Sequence, residues 1–251
     1  VAKSPADGYT LLMSYVGSHA INVSIYKKLP FDPEADFAAV ATLANVPFVA
    51  AANAKLPVTN MKELAAYAAK NPVSFGSAGN GSVNHLLGEM FNAYHAGGAA
   101  NPSASKMLHV PYKGAAPALT DLISGQIQLV FTSLPSVAQH IKAGTVNGLA
   151  VTGSKRAGAF KDIPTIAESG YPGFVINPWF GLFAPKGTPA AVVQQINADI
   201  KKILEDKSTL EKFAALGAEP YDTKPDEFAA ILRADIKKWG EVVKSSGATA
   251  D

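Results

Sequence analysis

The sequence predicts an α/β protein with largely parallel sheets. Short apolar runs of strand length alternate with helical patterns along most of the chain. Small glycine- and serine-rich loops sit where several of those runs hand over to helices. The last quarter is helical, with apolar residues recurring at the helix period.

Taken in order, Tyr9–Tyr15 (YTLLMSY) reads as a strand, followed by Val16-Gly17-Ser18-His19 and a helical turn. Phe37–Leu43 and Pro47–Ala52 read as strands, and a helix follows over Met61–Lys70 after Pro57 and Val58-Thr59-Asn60. Asn71–Phe91 reads as a short buried strand, a loop of small residues and a helix. Gly97–Ser105 reads as a loop, and Leu108–Pro111 as a strand leading to Tyr112-Lys113-Gly114. Ala115–Ser124 is a helix with Pro117 in its first turn and Gly125 at its end. Gln128–Thr132 is a strand, Ser133–Ser136 a second strand-to-helix loop, Val137–Lys142 a helix and Val146–Thr152 a strand. Lys155–Pro172 is irregular, and Trp179–Ala184 (WFGLFA) is a buried strand. Pro189–Asp206 is a helix with Val192, Val193, Ile196, Ile200, Ile203 and Leu204 on one face. Leu210–Leu216 and Pro225–Ser246 are further helices; in the last, Phe228, Ile231, Leu232, Ile236 and Trp239 form a stripe that reads as core.

Gly76-Ser77-Ala78-Gly79-Asn80-Gly81-Ser82 carries the most chemistry. Its three glycines permit positive φ and close approach to a bound group. The helix that follows offers unpaired N–H groups and a partial positive charge, which suits a carboxylate or phosphate. The loop contains no basic side chain. Gly79 and Gly81 nearly fit the dinucleotide pattern G-x-G-x-x-G, but Asn84 holds the third position, and the chain contains no Gly-Lys pair of a phosphate-binding P-loop. Val16–His19 and Ser133–Ser136 resemble this loop in character. In parallel sheets such loops gather at the carboxyl edge, where ligands bind.

The chain has 251 residues, of which 48% are hydrophobic and 17% charged, enough to build a core. A net charge of +2 gives no argument for nucleic acid. Without cysteine there is no disulfide and no thiolate metal site. No apolar run reaches membrane-spanning length. The start, Val1-Ala2-Lys3, lacks a Met and any signal peptide, and reads as processed or truncated. There is no Gly-x-Ser-x-Gly elbow and no His-Glu-x-x-His, and His19, His85, His95, His109 and His140 lack metal-ligand spacing. His85 and Glu89 share a helix face, which suits a local hydrogen bond better than a metal. Ser82 and His85 have no orienting acid for nucleophilic catalysis. Enzyme function, cofactors and metals are therefore not expected. Lys113 reads equally as an anion-attracting group or a surface turn lysine.

The segments Ser77-Ala78-Gly79-Asn80-Gly81-Ser82-x-x-His85-Leu86 and His109-Val110-Pro111-Tyr112-Lys113-Gly114-Ala115-Ala116-Pro117-Ala118 resemble the Bug-type periplasmic receptors. These are the substrate-binding proteins of tripartite tricarboxylate transporters. Asp7-Gly8-Tyr9-Thr10-Leu11, Ser18-His19-Ala20-Ile21-Asn22, Asp162-Ile163-Pro164-Thr165, Glu168-Ser169-Gly170, Trp179-Phe180-Gly181-Leu182 and Ala184-Pro185-Lys186-Gly187-Thr188-Pro189 extend the resemblance end to end. It implies a clam-like, type II-like periplasmic binding protein of two domains with two crossovers, near Asn45–Phe48 and Ile176–Trp179. The domains implied are 1–47 with 178–251, and 48–177. It also implies a small carboxylated ligand in the interdomain cleft. Ser77, Ala78, Gly79, Gly81 and Ser82 would carry one carboxylate, joined by Thr132 and Ser133 and, from the other domain, Ser18. His85 and Trp179 complete the candidate set, Trp179 being read equally as a cleft wall or as core. The partners implied are the transporter's membrane subunits or, alternatively, a sensor kinase, in the periplasm.

Two departures from the family stand out. The family carries about fifty more mature residues before Asp7-Gly8-Tyr9, forming a first strand, a Pro/Gly-rich loop and a first helix. A truncated sequence is the expected explanation; if the chain is all there is, a strand slot is expected to stand open for a neighbouring chain to fill by exchange or strand addition. The stretch Tyr94–Leu108 is also longer than usual in the family and is expected to be a surface insertion.

Overall fold

The computed structural model describes residues 1–97 and 106–249. Most of the expected Gly97–Ser105 loop, and the middle of the insertion expected in Tyr94–Leu108, lie outside the described residues. In chain order the elements are β1 (Leu12–Tyr15), a π-helical turn (Gly17–Ile21), α1 (Asn22–Ile25), β2 (Phe37–Asn45), β3 (Phe48–Asn53), α2 (Met61–Ala68), β4 (Ser74–Ser77), α3 (Val83–Gly97), β5 (Leu108–Pro111), α4 (Ala115–Ser124), β6 (Leu129–Ser133), α5 (Leu134–Lys142), β7 (Val146–Val151), a 3-10 turn (Gly158–Phe160), β8 (Trp179–Pro185), α6 (Ala190–Glu205), α7 (Lys207–Leu216), β9 (Glu219–Pro220) and α8 (Pro225–Ser246). They group into two compact units, Val1–Val46 with Pro178–Asp251, and Pro47–Asn177.

The first unit holds a four-stranded sheet in the order β1-β8-β2-β9. Every pairing in it is antiparallel. α8 presents Phe228, Leu232 and Trp239, all buried, as its periodicity predicts. Phe228 packs against Trp179 and Phe183, with ring centroids 4.9 and 4.8 Å apart. Gly181 makes room for that ring, because a Cβ there would sit 2.2 Å from it. The stripe expected on α6 narrows: Val193 and Leu204 are buried, but Ile203 is 58% exposed. α7 buries no residue at all.

The second unit holds five strands in the order β5-β4-β6-β3-β7. β3, Phe48–Asn53, is buried at every position, as expected of a central strand covered on both faces. On one side lie Leu122, Leu134, Val137 and Ile163, packed with Val49, Val130 and Val151. Phe75, Leu86, Phe91 and Phe131 are fully buried as well. α3 lies close to β4 because Gly88 has no side chain; a Cβ there would fall 2.1 Å from the Phe75 ring.

The expectation of mostly parallel sheets is corrected. β4–β5 and β4–β6 are parallel, while β3–β6 and β3–β7 are antiparallel, like the whole first sheet. A parallel pair needs a crossover that returns the chain to the same edge. α3 and α4 supply it between β4, β5 and β6. β2 and β3 follow each other with no helix between, and β2, β3 and β8, the strands at which the chain passes between units, run against their neighbours. The first strand is also shorter than expected, beginning at Leu12, with Tyr9 95% exposed before it.

Candidate functional site

Because β4, β5 and β6 run in one direction, their carboxyl ends lie along one edge of the second sheet. Each is followed by a helix, so α3, α4 and α5 all begin at that edge. Their N-termini bring partial positive charge there without any cationic side chain.

The loop between β4 and α3 is held by its own small residues. Gly79 has φ +121° and Gly81 φ +74°, values that side chains other than hydrogen rarely tolerate. A Cβ on Gly79 would also lie 3.3 Å from the Tyr112 carbonyl oxygen. Gly79 N–H donates to Ser77 Oγ at 3.1 Å, and Ser82 Oγ donates to Gly79 O at 2.7 Å. His85 N–H reaches Ser82 Oγ at 3.3 Å, so Ser82 caps α3 weakly. Gly81 N–H donates to His85 Nδ1 at 3.1 Å. Among the described residues, the backbone N–H groups of Ala78, Asn80, Val83 and Asn84 find no protein acceptor. Unpaired donors at a long helix's start are what an anion requires.

The next strand end adds Thr132, buried, and Ser133, half-buried. The expected loop Ser133–Ser136 is corrected: α5 begins at Leu134 with Pro135 in its first turn, and Ser133 is its N-cap. Ser133 makes no side-chain cap bond, and its hydroxyl lies 2.6 Å from that of Ser136. On the other flank Gly114, at φ +114°, precedes α4, also without a side-chain cap.

Thus Ser77, Ala78, Gly79, Gly81, Ser82, His85, Thr132 and Ser133 all lie along one sheet edge. Ser18 and Trp179 belong to the first unit. Ser18 is half-buried in the π-helical turn and lines a cavity of about 500 Å³ with Ser14, His19 and Phe31. Trp179 is core: it is 1% exposed, and its Nε1–H donates to Asp235 Oδ2 at 2.7 Å.

The sequence reading missed His109. Its ring stacks on His85 at 3.8 Å between centroids, and its Nε2 lies 2.6 Å from Ser77 Oγ. Burial pushes the His85 pKa down. Burial, and then the neighbouring His85, push that of His109 down to about 4. Both rings are therefore neutral near pH 7. The motif His109–Pro111 was the available signal, but a single histidine in a four-residue strand gives no hint of its partner.

A family model described as the tripartite tricarboxylate transporter family receptor matches residues 1–248. The chain belongs to that family. Protein BugT of Bordetella pertussis is 37% identical over 250 residues, 98% of this chain and 74% of that relative. A solved structure of Rpa4515 from R. palustris with adipate superposes with a TM-score of 0.89 at 36% identity, covering 99% of this chain and 81% of that one. The periplasmic binding protein BugD superposes at 0.86 with 34% identity, over 99% and 82%. The two units thus make up the α/β periplasmic binding fold of a solute-receptor family. No helix among the described residues of this receptor is long and apolar enough to cross a membrane.

Proposed function

We propose that this receptor works in the periplasm and binds a small organic acid there. One carboxylate would rest on the Ser77–Ser82 loop and the Thr132–Ser133 strand end, and the acid would pass to the membrane subunits of a tripartite tricarboxylate-type transporter. The observation that carries the reading is the row of unpaired amides, Ala78, Asn80, Val83 and Asn84, at an edge where three helices begin. The adipate complex of the relative from R. palustris supports a carboxylate as the ligand class. The same geometry weighs against an enzyme. Ser82 Oγ donates to Gly79 O, and the Ser77 hydroxyl, 1% exposed, is held between His109 Nε2 and the Gly79 N–H, so neither is a free nucleophile.

Isothermal titration calorimetry against succinate, adipate, malate and citrate, with adipamide as the uncharged control, tests this reading. At least one acid is expected to bind and the diamide not to. Equal binding of adipate and adipamide, or no heat with any acid, would refute it. A ligand present at a hundredfold its Kd should also stabilise the fold by about 2.7 kcal/mol.

A further inference from the structure

The two histidines hold opposite ends of the loop. His85 Nδ1 accepts the Gly81 N–H, so that nitrogen carries a lone pair and the ring proton sits on Nε2, 4.0 Å from Glu89 Oε1. His109 Nε2 meets the Ser77 hydroxyl, which in turn receives the Gly79 N–H. The rings face each other nearly parallel, at 11°, and Phe75 stacks behind His109. Each glycine with positive φ is therefore tied to one ring, Gly81 directly and Gly79 through Ser77. We propose that the stacked pair His85 and His109 are positioning residues, which fix the two glycines so that the neighbouring amides face the bound anion. The effect on affinity rests on the carboxylate reading above; the coupling of the rings to the loop does not.

A consequence for pH follows from the bond to Gly81. A proton on His85 Nδ1 would face the Gly81 N–H, donor against donor, and release that end of the loop. Protonating one ring also opposes charge on the other at stacking distance. Beside the pair, Glu89 on α3 lies 4.0 Å from His85 Nε2, and β4 contributes Ser77 to His109 Nε2 and Phe75 to its ring face. Burial raises the Glu89 pKa, and Lys106 acts on Glu89 in the opposite direction.

The test uses the full chain, first without ligand. Nitrogen-15 NMR is expected to show His85 Nδ1 unprotonated, and a protected Gly81 amide whose resonance moves with His85 titration below the ordinary histidine range. In H85L that protection should be lost with the fold retained. In H85N, whose Oδ1 stands where Nδ1 was, it should persist. Unchanged Gly81 protection in H85L, or a His85 titration that Gly81 does not follow, would overturn the proposal. H109Q, which keeps an amide at the Nε2 position, is the second variant should H85L fail to fold; it should retain the Gly79 amide resonance that H109L loses, and equal spectra for the two would overturn it. With adipate as the probe, affinity should fall about tenfold in H85L and change less than about threefold in H85N. Intact ring-to-loop coupling in a wild type that binds neither adipate, succinate, malate nor citrate would sink the carboxylate reading alone. Equal adipate affinity in H85L and wild type would sink the positioning role alone.

Discussion

The two edges of the second unit's sheet treat helix starts in opposite ways. β3 runs against its neighbours, so the helix after it, α2, begins at the edge opposite the glycine loop. There the chain supplies side-chain caps. Asn60 Oδ1 accepts the Glu63 N–H at 2.9 Å, and the Glu63 carboxylate accepts the Thr59 N–H and hydroxyl at 2.7 and 2.9 Å. At the edge holding Gly79 and Gly81, α4 and α5 start without a side-chain cap, and α3 has only the long Ser82 contact. The unit thus closes the single helix start at one edge with polar side chains and leaves the three starts at the other edge open. An N-terminus left uncapped gives up local stability. The open row is the one where a ligand can supply the missing acceptor.

The largest test of that contrast is Gly79→Val. Positive φ and the nearby Tyr112 oxygen both oppose a side chain there. Carboxylate affinity should fall at least about a hundredfold by calorimetry, and a loss below threefold would erase the distinction between the edges. Acid should separate the edges next. The pKa of His85 is lowered, and that of His109 is lowered to about 4. Both contributions to stability are complete above the ordinary histidine value; that of His109 is lost as pH falls towards about 4, and that of His85 as pH falls through its own lowered value. Glu63 is lowered too, chiefly by the Thr59 backbone bond, so its contribution is complete above the ordinary carboxylate value and is lost only below it, as pH falls through the lowered folded value. Amide exchange at Gly81 should therefore quicken at milder acidity than at Glu63, and the reverse order would contradict the assignment. Asn60→Ala should cost about 1 kcal/mol in urea unfolding and leave acid binding unchanged. Ser133→Ala should do the opposite on a smaller scale, shifting stability by less than about 0.5 kcal/mol and weakening binding roughly threefold.

What the sequence made readable follows from how local each signal is. Of the three loop glycines that the sequence offers for positive φ, Gly79 and Gly81 take it and Gly76 does not; Gly76 makes room for Ile127 instead, a requirement that lies outside its own backbone. The boundaries of α4 and α8 were read to the residue, since Gly125 and Gly247 end them and Gly114 and Pro225 begin them. Leu134-Pro135 looked like part of a loop, because proline marks turns as readily as first helical turns. Strand direction was unreadable, as it depends on what a strand pairs with and not on its own residues. The same holds for Trp179, whose acceptor Asp235 is 56 residues away, and for the stacking of His109 on His85. Val16–His19 shows the limit most plainly. It resembles the glycine loop in composition, yet it winds into a π-helical turn, with His19 buried and its Nδ1 2.7 Å from Ser14 Oγ.

The chain's two tryptophans, Trp179 and Trp239, are both in the first unit and each 1% exposed. Indole emission therefore arises wholly from one unit, while the glycine-loop amides belong to the other. Stopped-flow fluorescence and amide resonances would read the two units as separate channels. A lag between the signals after acid is added would time how news of docking travels along the chain.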